Sequence, residues 1–221
     1  MTEIFDIWKL MELLAMASGF IYVIFEVKKS RRMWRWMIIS SVINGIVYIH
    51  SGFTAMTLMQ LYYIITAIYG IRQWAKVKAE AIKQHGEDDR EHGDTKIAIV
   101  PFGIKRGLVS GAIALAVFAL FSYVLTRGYT PAEGDIPGKP YWDSAVAVLS
   151  MLATYWLSRS WFAQWYVWLV VNVAAIVMFL YPVFTGHTEN ALVGIGILYV
   201  AYLVTCIIGI INWKKHGVRV E

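Results

Sequence analysis

Three side chains in the second half of the sequence have the types and the spacing to hold a flat, polar ligand. Trp165, Trp168 and Asn172 follow one another at i, i+3 and i+7, which places them on one face of an α-helix. Two indole rings offer stacking surface, and the amide offers a hydrogen-bond donor and an acceptor. This set suits a heteroaromatic ring with polar edges. The alternative is a packing face on which Asn172 hydrogen-bonds to another helix.

A second group of polar side chains lies between residues 60 and 73. Gln60 falls about two turns into an apolar run, where an amide without a hydrogen-bond partner is costly, and we predict a site role for it. Gln73 and Asn212 lie near the ends of their apolar runs. Either a site role or an interfacial position is open for these two.

Few ionisable residues fall inside the apolar runs, and none forms a recognisable catalytic set. Glu26 is close to Lys28 and Lys29, which predicts a surface ion pair. Asp143 lies at the beginning of an apolar run and is expected to cap a helix N-terminus. The sequence contains no G-x-x-x-x-G-K-[ST], H-E-x-x-H or G-x-S-x-G motif. We therefore predict neither an enzyme nor a bound cofactor or metal.

The composition indicates which elements must position these side chains. Of the 221 residues, 58% are hydrophobic and only 16% are charged, whereas a soluble domain has about 25% charged residues. The sequence therefore predicts an all-α integral membrane protein whose partner is the lipid bilayer. The formal net charge of +5 then reflects membrane topology, and no nucleic-acid partner is expected.

Seven apolar runs approach the length of about 20 residues that a membrane-spanning helix needs. They cover residues 6–26, 34–50, 53–73, 107–126, 142–158, 161–181 and 190–212. If the N-terminus is placed outside, all of the 20 Lys and Arg residues except Lys9, Arg127 and Lys139 fall on the opposite side. Because positive charge marks the cytoplasmic side, we predict an N-out, C-in topology.

Two of the runs end alike, which predicts an internal repeat. Residues 70–74 and 209–213 both read Gly-Ile, a variable residue, an amide and Trp. We therefore predict two parallel three-helix units in a 3+1+3 arrangement, and such repeats usually enclose a substrate near the bilayer midplane. Alternatively, the endings are only interfacial Trp signatures. The predicted first repeat covers residues 1–74 and the second covers 141–213. Between them lie a cytoplasmic linker (75–106), a connecting helix (107–126) and an extracytoplasmic loop (127–140), and a cytoplasmic tail (214–221) follows the second repeat.

Several of these residues together resemble the PnuC family of vitamin-precursor transporters. The matching positions are Tyr141-Trp142-Asp143-Ser144, Ser150, Arg159, the set Trp165, Trp168 and Asn172, and Gln60, Tyr69-Gly70 and Trp74. The resemblance implies a SWEET-like fold, a homotrimer in the bacterial inner membrane, and uptake by facilitated diffusion. It also implies a cytoplasmic kinase that traps the substrate. The binding residues that it implies are Gln60, Tyr63, Tyr69, Gln73, Trp165, Trp168, Asn172 and Asn212.

The resemblance leaves the vitamin substrate open between close relatives. Nicotinamide riboside is the family default, but Ile71 and Arg72 replace an aromatic pair common in the riboside members. The run from Tyr22 to Lys28, followed by Trp34, is more similar to thiamine-carrying members. We therefore expect nicotinamide riboside first, thiamine as the near alternative and riboflavin third. A hypothesis of another class is a non-transporting membrane receptor or assembly protein.

Overall fold

The computed structural model describes residues 7–28, 30–50, 54–85, 97–131, 133–187 and 193–220. Within these ranges the chain forms seven helices and two short strands. In chain order these are α1 Ile7–Val27, α2 Arg32–His50, α3 Thr54–His85, β1 Ile97–Ile99, α4 Ile104–Gly128, α5 Lys139–Ser158, α6 Gln164–Phe184, α7 Val193–His216 and β2 Gly217–Arg219. The prediction of an all-helical fold is confirmed, with each predicted apolar run falling within or largely within a helix.

The helices differ in whether their length and apolar composition would let each one span a membrane. Among the described residues, α4, α6 and most of α7 are both long and apolar enough to cross a bilayer, and the apolar part of α1 is shorter. The other helices carry more polar or charged residues. Their polar faces therefore need protein neighbours, because unpaired polar groups are costly in lipid.

Six of the helices pack in a closed cycle. Each of the pairs α1–α2, α2–α3, α3–α5, α5–α6, α6–α7 and α7–α1 is in contact. The seventh helix, α4, packs on α5 from outside the cycle. Among its described residues only Gly107 and Ser122 are buried, so nearly the whole surface of α4 is left for lipid. We call the cycle of six helices the helix ring.

The ring is held together by two matching tryptophan clusters. In α2 and α3, the Trp34 ring lies against Gly70 and meets the Trp74 ring edge-on, with 5.1 Å between centroids. In α6 and α7, the Trp165 ring lies against Gly209 and meets Trp213 edge-on at 5.5 Å. In both places a glycine lets a helix approach an indole face closely. Each cluster contributes to the largest buried apolar group of the protein.

The start of α5 differs from the prediction. The helix begins at Lys139, directly after Gly138, which adopts the left-handed conformation with φ 73°, and Pro140 lies in the first turn. Proline is favoured there because its missing N–H needs no partner. Asp143 is therefore in the second turn, and the prediction that it caps the helix is wrong.

The region predicted as linker and tail contains ordered structure. The helix α3 continues to His85, and β1 pairs in parallel with β2, with Ile97 opposite Gly217 and Ile99 opposite Arg219. A small apolar group formed by Val77, Ala81, Ala98 and Val220 joins the strands to the extension of α3. The chain between His85 and Ile97 falls outside the described residues.

Candidate functional site

The predicted face of α6 points into the helix ring. Trp165 and Asn172 are each only 3% exposed, and Trp168 is half-buried between the two main apolar groups of the protein. The indole nitrogen of Trp168 is buried without a hydrogen-bond partner in the described structure. No described residue hydrogen-bonds to the Asn172 amide either. The predicted interhelical hydrogen bond of Asn172, which was the alternative, is therefore not seen.

Trp165 has a more occupied environment than Trp168. Its ring covers Gly209 and meets Trp213, while its backbone carbonyl accepts a 3.4 Å hydrogen bond from the Cys206 thiol. The ring therefore fills the interface between α6 and α7. Like that of Trp168, the indole nitrogen of Trp165 is buried without a hydrogen-bond partner in the described structure.

Gln60 and Tyr63 come from α3 to the same interior. Gln60 is 6% exposed and packs close to Gly45 of α2, and no hydrogen bond to its amide is found within the described ranges. Tyr63 packs against the apolar group that Trp168 also contacts. Among the described candidates, two buried amides and one indole N–H therefore have no protein hydrogen-bond partner.

The three remaining candidates lie elsewhere. Tyr69 is 40% exposed, and its hydroxyl accepts a 2.7 Å hydrogen bond from the Arg159 guanidinium. Gln73 is only partly buried, one turn further along α3. The Asn212 amide donates a 2.7 Å hydrogen bond to the carbonyl of Val27 at the end of α1. These contacts join helix ends across the ring and leave little of Tyr69 or Asn212 free for a ligand.

The chain has a clear match among known families. Residues 9–215 match the family described as "Nicotinamide mononucleotide transporter". This chain belongs to that family. Membership confirms the family that the motifs indicated.

Individual relatives of the family agree with this assignment. The chain is 22% identical over 148 residues to the nicotinamide riboside transporter PnuC of Escherichia coli strain K12, and equally to that of Shigella flexneri. Each match covers 64% of this chain and 62% of the relative. The crystal structure of the vitamin B3 transporter PnuC superimposes with a TM-score of 0.69 at 20% identity, covering 96% of this chain and 83% of that one. The fold of the transporter family is therefore shared.

In this family member, the sequence reasoning missed one buried acid. Glu26 is only 4% exposed, its Oε1 atom has no hydrogen-bond partner in the described structure, and Lys28 is exposed. The predicted surface position of Glu26 is therefore wrong, while its predicted pairing with Lys29 lies outside the described residues. The spacing of Tyr22 and Glu26 at i, i+4 was the available signal, because it places both on one helix face.

A second missed feature is a fully buried amide at the start of α6. Both side-chain polar atoms of Gln164 are buried without partners in the described part of the chain. It directly precedes Trp165, so it lies at the end of the candidate face where α6 begins.

A groove on the described structure lies away from these residues. It has a volume of about 610 Å³ and opens between α3, α4 and α5. Its lining is mostly apolar, with Lys105 and Arg106 at the end where α4 begins. None of the eight predicted site residues lines it. The groove faces the outside of the ring, so we place the candidate site inside the ring instead.

Proposed function

We propose that this protein carries nicotinamide riboside across the bacterial inner membrane by facilitated diffusion. The observation that carries the proposal is the group of polar atoms without protein partners on Trp168, Asn172 and Gln60, inside the ring of a protein from this transporter family. The names of the curated relatives support the riboside over thiamine. Riboflavin receives no support from them.

The chemistry of nicotinamide riboside matches this group of atoms. The carboxamide of the substrate has one acceptor and two donors, which the Asn172 and Gln60 amides complement. Its pyridinium ring carries a positive charge and would stack on the Trp168 indole, gaining a cation–π attraction. Tyr63 and Trp165 would form the remaining walls. Tyr69, Gln73 and Asn212 then lie at the periphery, where the hydrogen bonds of Tyr69 and Asn212 hold helix ends together.

The charge of the interior favours the riboside over the corresponding mononucleotide as the substrate. A phosphate group needs cationic or N–H donors when it leaves water, yet none of the described Lys and Arg side chains is buried. The buried ionisable side chain in the described ring is the acid Glu26. A phosphorylated substrate would therefore be poorly accommodated, and we propose a nucleoside rather than a nucleotide as the substrate.

The proposed architecture is the 3+1+3 arrangement of a SWEET-like transporter. The cycle of helix contacts supports it, because α1–α2–α3 and α5–α6–α7 follow one another in the same order around the ring. The matching pairs of Trp34 with Gly70 and Trp165 with Gly209 support it further. Such repeats would rock about a central site to alternate access, with the N-terminus outside and the C-terminus in the cytoplasm. A homotrimer and a trapping cytoplasmic kinase complete the proposal, as the resemblance implies.

Uptake into liposomes tests the function. Purified protein is reconstituted and the entry of labelled nicotinamide riboside is measured without an ion gradient, with protein-free liposomes as the control. We expect saturable uptake of labelled riboside. Unlabelled riboside should inhibit this uptake by competition, and the mononucleotide should not. Thiamine and riboflavin serve as competitors to rank the alternatives. Absence of saturable uptake by folded protein would refute the proposal and favour a non-transporting receptor.

A further inference from the structure

Glu26 stands out because its carboxyl group is buried beside the Tyr22 hydroxyl, with no cation next to it among the described residues. It is the penultimate residue of α1 and is 4% exposed, and its Oε1 atom is buried without a hydrogen-bond partner among the described residues. A carboxylate buried in this way is very costly unless an opposite charge compensates it. An acid inside a membrane-spanning bundle therefore points to a functional partner.

The groups around Glu26 come from helices on both halves of the ring. The Tyr22 hydroxyl faces the Glu26 carboxyl group, and Tyr63 of α3 and Tyr202 of α7 interact electrostatically with that hydroxyl. Cys206 of α7 is also close to the carboxyl group. Glu26 therefore faces the ring interior and not the surface.

This position is continuous with the candidate site. Tyr22, Tyr63 and Trp168 all pack against the same apolar group. The hydrogen bond from Asn212 to the carbonyl of Val27 fixes the end of α1 against α7, which holds Glu26 towards the interior. The carboxyl group is thus linked through Tyr22 to Tyr63, one of the walls that we propose for the substrate.

No protein cation neutralises this acid within the described ranges. The ion pairs found there join Lys83 to Glu80 and Lys139 to Asp135. A positively charged ligand entering the ring would meet a carboxylate whose Oε1 atom is open, beside the Tyr22 ring, which also favours cations.

We propose that Glu26 is the counter-charge for the cationic ring of the transported substrate, and so selects a pyridinium over a neutral ring of the same shape. This inference rests on the proposed function, since it names the group that recognises the charge of the riboside. The amides of Asn172 and Gln60 would select the polar edge, and Glu26 would select the charge.

Two forms of one nucleoside provide a direct test. Nicotinamide riboside has a cationic ring, while its 1,4-dihydro form has a neutral ring of nearly equal size. Binding of each is measured calorimetrically to the full-length protein in detergent. We expect wild-type protein to bind the cationic form at least about tenfold more tightly, as for hydrogen bonds to a charged group.

The variant Glu26→Gln keeps the shape of the side chain and removes its charge. We expect it to lose about tenfold or more in affinity for the cationic form and little for the neutral form. Glu26→Asp, which keeps the charge on a shorter side chain, should retain part of the preference. Glu80→Gln is the matched control, because Glu80 is an exposed acid paired with Lys83 on the same protein, and its preference should equal that of wild type.

The outcomes separate this inference from the function on which it rests. If wild-type protein binds neither form, the proposed function fails and the role of Glu26 fails with it. If wild-type protein binds both forms equally, Glu26 does not select charge, and this holds even where Glu26→Gln does not fold. If the variant binds the riboside as wild type does, or loses affinity for both forms equally, only the role of Glu26 is overturned.

Discussion

The contact between Gly209 and Trp165 permits a quantitative prediction. A β-carbon at position 209 would lie within 2.6 Å of three carbons of the Trp165 ring, although carbon atoms in contact sit about 3.5–4.0 Å apart. The indole is rigid and also held by Trp213, so α6 and α7 must separate to admit the methyl group. Gly209→Ala is therefore an overpacking change in the core of the ring.

The expected size of the effect follows from two opposing terms. Overpacking of a core costs about 1–3 kcal/mol, while replacing a helical glycine by alanine gains roughly 1 kcal/mol. Because the indole cannot move away, we expect a net loss of about 1–2 kcal/mol in the free energy of unfolding. The matched control is Gly111→Ala in α4, where a β-carbon would meet nothing within 4 Å. That change should stabilise the protein by roughly 0.5–1 kcal/mol.

Thermal unfolding in one detergent compares the two variants directly. A difference of about 2 kcal/mol between them corresponds to roughly 4–8 °C in Tm for a chain of this length. Gly70→Ala pushes a methyl group into the Trp34 ring, so it should lower Tm as Gly209→Ala does. If Gly209→Ala and Gly111→Ala unfold at the same temperature, close helix approach at Gly209 does not hold α6 and α7 together, and our reasoning on Trp165 is refuted.

Three further substitutions separate binding from packing. Asn172→Ala should weaken riboside binding about three- to tenfold with an unchanged Tm, because its amide has no described protein partner; a lower Tm with unchanged affinity would instead indicate a packing role. Asn212→Ala should lower the free energy of unfolding by about 1 kcal/mol through loss of the bond to Val27, with unchanged affinity in calorimetry. Tyr69→Phe removes an exposed bond to Arg159 and should shift stability by less than about 0.5 kcal/mol, so a large loss of uptake would show that Tyr69 contacts substrate.

Hydropathy predicted where helices cross the membrane better than where they end. The apolar run at 53–73 stops because charged residues begin, yet α3 continues to His85, since Lys, Ala and Glu are good helix formers outside lipid. The strand pair could not be predicted from the sequence for a different reason. Each strand has three residues, and its partner lies more than a hundred positions away, so no local pattern marks it.

The tryptophan spacing predicted a shared face but not what each ring touches. Trp165 and Asn172 are seven positions apart and so nearly aligned, whereas Trp168 is turned to one side. The face alone cannot tell that Gly209 lies against Trp165. The repeat held that information, because Trp34 and Gly70 stand in the same relation in the first three helices. If the repeat had been used to predict packing as well as topology, it would have assigned Trp165 to the core.

The position of Glu26 also shows how the charge of the interior bears on transport. Neighbouring lysines in the sequence suggested a surface ion pair, but Lys28 lies about 200° around the helix from Glu26, while Tyr22 lies on the same face. With an acid inside the ring and no buried cation among the described side chains, the proposed site would favour a cationic nucleoside in either direction of passage. Once a phosphate was added, the same interior would repel the molecule. A passive carrier of this design would accumulate substrate through phosphorylation alone, because the product could not return through the ring.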